Sequence, residues 1–177
     1  MKYEDKLILR ILVLSLVFLL YGFGYFIFLW LTKNLSYFGL NIFYPVRLIN
    51  NSIVVNNHAF TFISACVALP AYYLLLFLIL TTKDIDFKHS VKLFFIGSLL
   101  ILLLNIIRID LLIISFINFG KDFFDSIHLV FWKFVSGLYV ALVWIFLSKW
   151  YKIKNIPVYS DLKYLYSKSL LKQRKKP

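Results

Sequence analysis

The sequence predicts an all-α membrane protein: about four transmembrane helices, a small extracytoplasmic β-hairpin-like cap and a basic cytoplasmic tail. Three observations carry this reading. The 177 residues are 62% hydrophobic and only 16% charged, with a mean hydropathy of +0.83, whereas a soluble domain is nearer half apolar and a quarter charged. The apolar residues gather into long runs at 7–31, 60–80, 91–117 and 127–147. Lysines and arginines collect on alternate connections between those runs. The expectation is one membrane domain over 1–150, followed by a tail over 151–177.

The first run follows Lys2, Lys6 and Arg10 and is longer than the apolar core of a signal peptide. With no small-residue cleavage site after it, it reads as a retained helix that can cross with tilt, and Trp30 marks its far interface. Residues 32–59 differ in kind. Asn50-Asn51 and Asn56-Asn57 separate the β-type runs Val46–Ile49 and Ile53–Val55. Asparagine tolerates the left-handed backbone of tight turns, so the segment predicts one or two small hairpins, and Pro45 argues against a helix through it.

The run over 60–80 carries Cys66 near its start and ends in the charged loop Thr81–Ser90. The third run, Val91–Phe119, would reach roughly 43 Å as a helix against a hydrocarbon core of ~30 Å. It should leave the bilayer near Arg108. Gly120–Asp125 is polar, and the fourth run ends at Trp150 and Tyr151. From Lys149 onward the lysines and arginines face a single acid, Asp161. Ser160 is placed to cap a helix with Leu162, Leu165, Tyr166 and Leu170 on one face, which would suit an anionic leaflet. A disordered basic tail that only fixes topology fits the same composition.

Orientation follows from the basic residues. Lys83, Lys88 and Lys92 join the N-terminus and the tail on one side, leaving Lys33, Arg47 and Lys121 on the other. The positive-inside rule puts both termini in the cytoplasm of a multi-pass protein of the cell membrane, with the cap outside. The net charge of +12 is thereby assigned to topology, and no nucleic-acid partner is expected.

One cysteine forbids an internal disulfide, so Cys66 is a packing residue or a reactive thiol. Counted from the cytoplasmic ends of their runs, Cys66, Arg108 and His128 stand about 22, 26 and 28 Å up. This brings a thiol, a guanidinium and an imidazole to the outer third of the membrane. A thiol needs a base to become a nucleophile, and His128 can take its proton and return it to a leaving amine. Arg108 stays charged and can steady a thiolate or an oxyanion. Asn105 lies one turn before Arg108 on the same face, and Lys133, one turn inside His128, is a second candidate for contact with substrate. His58 competes for the base role, His89 is on the wrong side, and Asp110 points away from Arg108. No metal or cofactor is required. The plain alternative is a non-catalytic scaffold or accessory subunit in which Cys66 only packs and Arg108 snorkels to headgroups.

At three places the sequence resembles the archaeosortase/exosortase family of membrane transpeptidases. These are Ile63-Ser64-Ala65-Cys66 after the Asn-rich segment, Leu104-Asn105-Ile106-Ile107-Arg108-Ile109, and Ile127-His128 followed by Trp132. They cover roughly 46–135, in the family's order. Many members follow the cysteine with Ser/Thr-Gly, where this chain has Val67-Ala68-Leu69, and its spans are fewer, a minimal form. The resemblance implies a cysteine, arginine and histidine site on the outer face. It also implies substrates: exported proteins ending in a short motif, a transmembrane helix and a basic cluster. Such proteins are cleaved near the motif and passed to an acceptor, often a membrane lipid.

Overall fold

A computed structural model describes residues 3–19, 21–131 and 136–168. Among these, the chain is mostly helical: α1 (Tyr3–Leu19), α2 (Tyr21–Leu40), α3 (Leu69–Leu80), α4 (Phe87–Phe119), α5 (Lys121–Val130), α6 (Ser136–Trp150) and α7 (Tyr159–Lys168). A three-stranded antiparallel sheet, β1 (Val46–Ile49), β2 (Ser52–Val55) and β3 (His58–Thr61), interrupts them.

The sheet is the cap expected from the asparagine pairs. Asn50, Asn56 and Asn57 take φ of 51°, 48° and 63°, the left-handed conformation that makes a two-residue reversal cheap for this side chain. Val46 pairs with Val55, and Val55 with His58, so the meander has one more strand than the two runs suggest. Ile53 and Val55 are fully buried against the helical core, while β1 turns its remaining residues outward.

Of the expected spans, α4 alone among the described residues is one helix long and apolar enough to cross a membrane. The first run is a second such span only if α1 and α2 are taken together, since Leu7–Leu19 and Gly22–Leu40 are bent by 64°. Along α4, Phe95, Leu99, Leu103, Ile107 and Leu111 recur every four residues and are all exposed. Leu93, Gly97, Ile101, Asn105 and Arg108 occupy the opposite, buried face. Soluble monomers rarely expose an apolar stripe of that length.

The run over 60–80 is not one helix. Its start belongs to β3, Ser64–Val67 form a 3-10 turn, and only Leu69–Leu80 are α-helical. Pro70 is the reason: it has no N–H to donate backwards and a φ suited to the first turn, so the helix begins there. Ala68, at φ 53°, takes the left-handed kink between turn and helix. In the fourth run, α5 contacts α4, and α6 is described from Ser136 onward. Gly120, at φ 81°, makes the reversal between α4 and α5.

The two ends of the molecule are distinct. At one end, Arg10 of α1 pairs with Asp161 of α7 at 3.3 Å, and the Val158 N–H donates to the Thr81 carbonyl at 3.0 Å. Asn155 donates to the Lys83 carbonyl at 3.1 Å, so the N-terminal helix, the α3–α4 loop and the tail meet there. The opposite end holds the sheet, where Lys33 donates to the Asn50 carbonyl at 2.9 Å.

Candidate active site around Cys66

The 3-10 turn that carries Cys66 leaves its carbonyls in need of donors. Cys66 N–H donates to the Ile63 carbonyl at 2.9 Å. In an α-helix the Cys66 carbonyl would accept from residue 70, but Pro70 has nothing to give. Asn105 supplies the missing bond from α4, its Nδ2 donating to the Cys66 carbonyl at 2.8 Å. Arg108, one turn on, reaches the neighbouring Ala65 carbonyl through Nη2 in a long contact of 3.5 Å. Asn105 is 1% and Arg108 7% exposed, so both act out of contact with water. The thiol they surround is free and half-buried.

Hydrogen-bonding capacity remains. Among the described residues, Asn105 Oδ1 and Arg108 Nε are buried without a partner, and buried polar atoms are nearly always satisfied. An unspent acceptor and an unspent charged donor thus sit beside one thiol. The Arg108 charge interacts with Cys66 and with Tyr139 of α6. Tyr139 has no counterpart in the sequence-derived set. Its signal was available: a tyrosine one turn into the apolar part of the last run.

His128 is elsewhere. It stacks on Phe124 at 5.4 Å between centroids, and Phe124 meets the edge of Phe116 at 5.6 Å. Phe116 in turn contacts His58 at 5.1 Å and Phe60 at 5.2 Å. His58 thus meets the α4 ring directly and His128 only by way of Phe124, and both histidines are exposed. At ~1.5 Å per residue, Phe116 stands about 12 Å beyond Arg108. The structure brings Cys66, Asn105 and Arg108 together, while the ring contact of His128 is with Phe124 of α5. Lys133 and Trp132 lie outside the described residues.

Packing at Gly97 sets a common reference depth for three helices. A Cβ on Gly97 would come within 2.6 Å of Leu75 Cδ2 and 2.9 Å of Leu147 Cδ1, so α3, α4 and α6 share a layer at Gly97. Counting outward from it puts Asn105 and Tyr139 at about 12 Å, Cys66 at about 14 Å and Arg108 at about 17 Å. Taking Val91 and Leu147 as one depth, as the sequence invites, misplaces α6 by roughly 9 Å, since Leu147 packs six residues above Val91.

Asp110, on another face of α4, meets α2. A Cβ on Gly39 would fall 2.6 Å from Asp110 Oδ2, so the carboxyl lies against α2 one turn beyond Ser36. Thr32 and Ser36 are fully buried one turn apart. This is a polar seam fixing α2 against α4, which the lack of an ion-pair partner for Asp110 does not reveal. Outside the apolar region, the Asp125 carboxylate bonds to the Lys121 ammonium and holds it above its ordinary pKa. Among the described residues no group of three or more His, Cys, Asp or Glu forms a metal site.

Set against known proteins, the chain matches no family model, no curated protein and no solved structure.

Proposed function

We propose that this chain is a membrane-embedded cysteine transpeptidase or protease of archaeosortase/exosortase type. The observation that carries the reading is the Cys66 turn: a thiol on a non-helical turn, steadied by Asn105 and facing a buried arginine with an unused donor. A packing cysteine needs none of this.

In the proposed reaction the Cys66 thiolate attacks a peptide carbonyl carbon, and the oxygen takes the negative charge. Arg108, aided by Tyr139, stabilises that oxyanion. As it collapses, the C–N bond breaks and the amine departs with a proton from His128, leaving a thioester on Cys66. An acceptor nucleophile, a lipid headgroup or water, then displaces the thiolate. His128 reaches the thiol by way of α5, which buries none of its residues and pivots on Gly120. His58 is the other histidine at that level.

The substrates on this reading are exported proteins ending in a motif, a transmembrane helix and a basic cluster. The protein crosses four times, both termini cytoplasmic, and the second and fourth crossings are the broken elements at 60–80 and 127–147. The exposed α4 stripe and the gathering of the basic segments at one end support this. A cleft of about 160 Å³ lies between α1, α2, α3 and α4, lined by Val17, Phe28, Leu69, Tyr72 and Phe94, and suits an apolar helix.

A thioester is the test. Membranes containing the chain, denatured without reductant, should yield a polypeptide bound to Cys66 that hydroxylamine releases and Cys66→Ala lacks. The exposed position of His128 favours a second reading, a non-catalytic assembly subunit. In that case no adduct forms, and Cys66→Ala leaves exported proteins with unchanged C-termini.

A further inference from the structure

Helix α7 is built inside out. Its acid, Asp161, is 6% exposed, whereas Leu162 is 60%, Leu165 50% and Tyr166 50% exposed. At 100° per residue, Leu162, Leu165, Tyr166 and Tyr159 share one face, Asp161 and Tyr164 a second, and Lys163 and Ser167 a third. The second face docks: Asp161 pairs with Arg10 at 3.3 Å, and the residue before the helix donates to the Thr81 carbonyl. Burial of apolar surface in water would have turned the leucines inward. The docking instead fixes them outward.

The level at which this happens identifies the occupant. Thr81 ends α3 and the charged α3–α4 loop follows, so α7 sits where an apolar helix gives way to charged chain. Lys163 and Lys168 of α7 are exposed, as are Lys149, Lys152 and Lys154 in the segment leading into it. An apolar stripe bordered by lysines at a helix-end level matches acyl chains edged by anionic headgroups.

We propose that α7 is an interfacial helix, with Leu162, Leu165 and Tyr166 in the edge of the cytoplasmic leaflet, lysines on its anionic headgroups, and the Arg10–Asp161 pair fastening it to α1. This goes beyond the cysteine chemistry and is independent of it. It needs only that α4 crosses the bilayer.

Full-length protein carrying Cys66→Ser and one spin label, at Leu162→Cys, Lys163→Cys, Leu165→Cys or Leu103→Cys, is placed in vesicles of phosphatidylcholine with phosphatidylglycerol. Leu103, on the exposed α4 stripe, reports whether that helix is in the membrane. Labels at 162 and 165 should collide with oxygen and be shielded from a water-soluble nickel chelate, while the label at 163 shows the reverse. Leaving out phosphatidylglycerol should raise nickel access at 165 severalfold. Water-accessible labels at 162 and 165 beside an oxygen-accessible one at 103 overturn the proposal and leave the membrane topology standing. A water-accessible label at 103 overturns both. Spin–spin broadening at 165 that vanishes on dilution with unlabelled protein assigns the face to a second copy and also overturns it. Unchanged nickel access without phosphatidylglycerol overturns the anionic contact.

Discussion

Two levels of α4 carry side chains capable of proton or charge chemistry, and they are built in opposite ways. At Asn105 and Arg108 the groups are buried and bonded to the backbone of a turn. Around Phe116, two turns further out, His58 and, by way of Phe124, His128 are exposed and meet aromatic rings. A hydrogen bond to a fixed carbonyl sets direction as well as distance, whereas aromatic contact tolerates rotation and sliding. On the proposed reading, the nucleophile's frame is therefore set before a substrate arrives, the proton carrier's position is not, and the site is completed on closing.

The largest expected effect breaks the inner level outright. Cys66→Ala should reduce substrate processing by at least about a thousandfold with insertion unchanged, and Cys66→Ser should fall close to it. The ratio of processed to unprocessed substrate, at matched expression, gives the result. Next, Arg108→Lys keeps the charge and loses the planar fork, so it should cost nearly as much as Arg108→Ala, about 3 kcal/mol of barrier. Near wild-type processing by the lysine variant would make Arg108 an anchor.

The outer level is tested by separating its histidines. His128→Ala should slow processing by about a hundredfold, as loss of a general acid–base does, and His58→Ala should leave it near wild type. The opposite result moves the proton carrier to the sheet.

A smaller effect sharpens the account of the turn. Asn105→Leu leaves the buried Cys66 carbonyl without a donor and should cost about 1–3 kcal/mol of stability, read as a lowered thermal midpoint in detergent. Pro70→Ala restores a backbone N–H at the position that an α-helix would use. In the double variant it should recover part of the loss, and strict additivity would show that Pro70 is not what the amide replaces. Gly97→Ala should have the smallest effect, about 1–2 kcal/mol, since its Cβ presses on the flexible ends of Leu75 and Leu147.

Much of the fold was legible. The asparagine pairs fixed the first two strands because a left-handed residue leaves the chain few options, and the face shared by Asn105 and Arg108 followed from helical spacing. β3 was missed because Phe60 and Phe62 suit a strand and a membrane helix alike. The break at 64–68 was marked by Pro70, a start signal that hydropathy alone passes over. The level of His128 was illegible for another reason. Depth counted along separate runs needs a shared zero, and that zero is set by the packing at Gly97, which lies between elements distant in sequence.

The clasp between Arg10 and Asp161 also has a timetable. The two residues are 151 positions apart, and at roughly 5–20 residues per second the ribosome makes the acid about 8–30 s after the base. Throughout that interval the guanidinium on α1 stands without that counterion. The first helix is made long before the pair that fastens it can form. A nascent chain halted before residue 161 thus displays a cation that the finished protein hides.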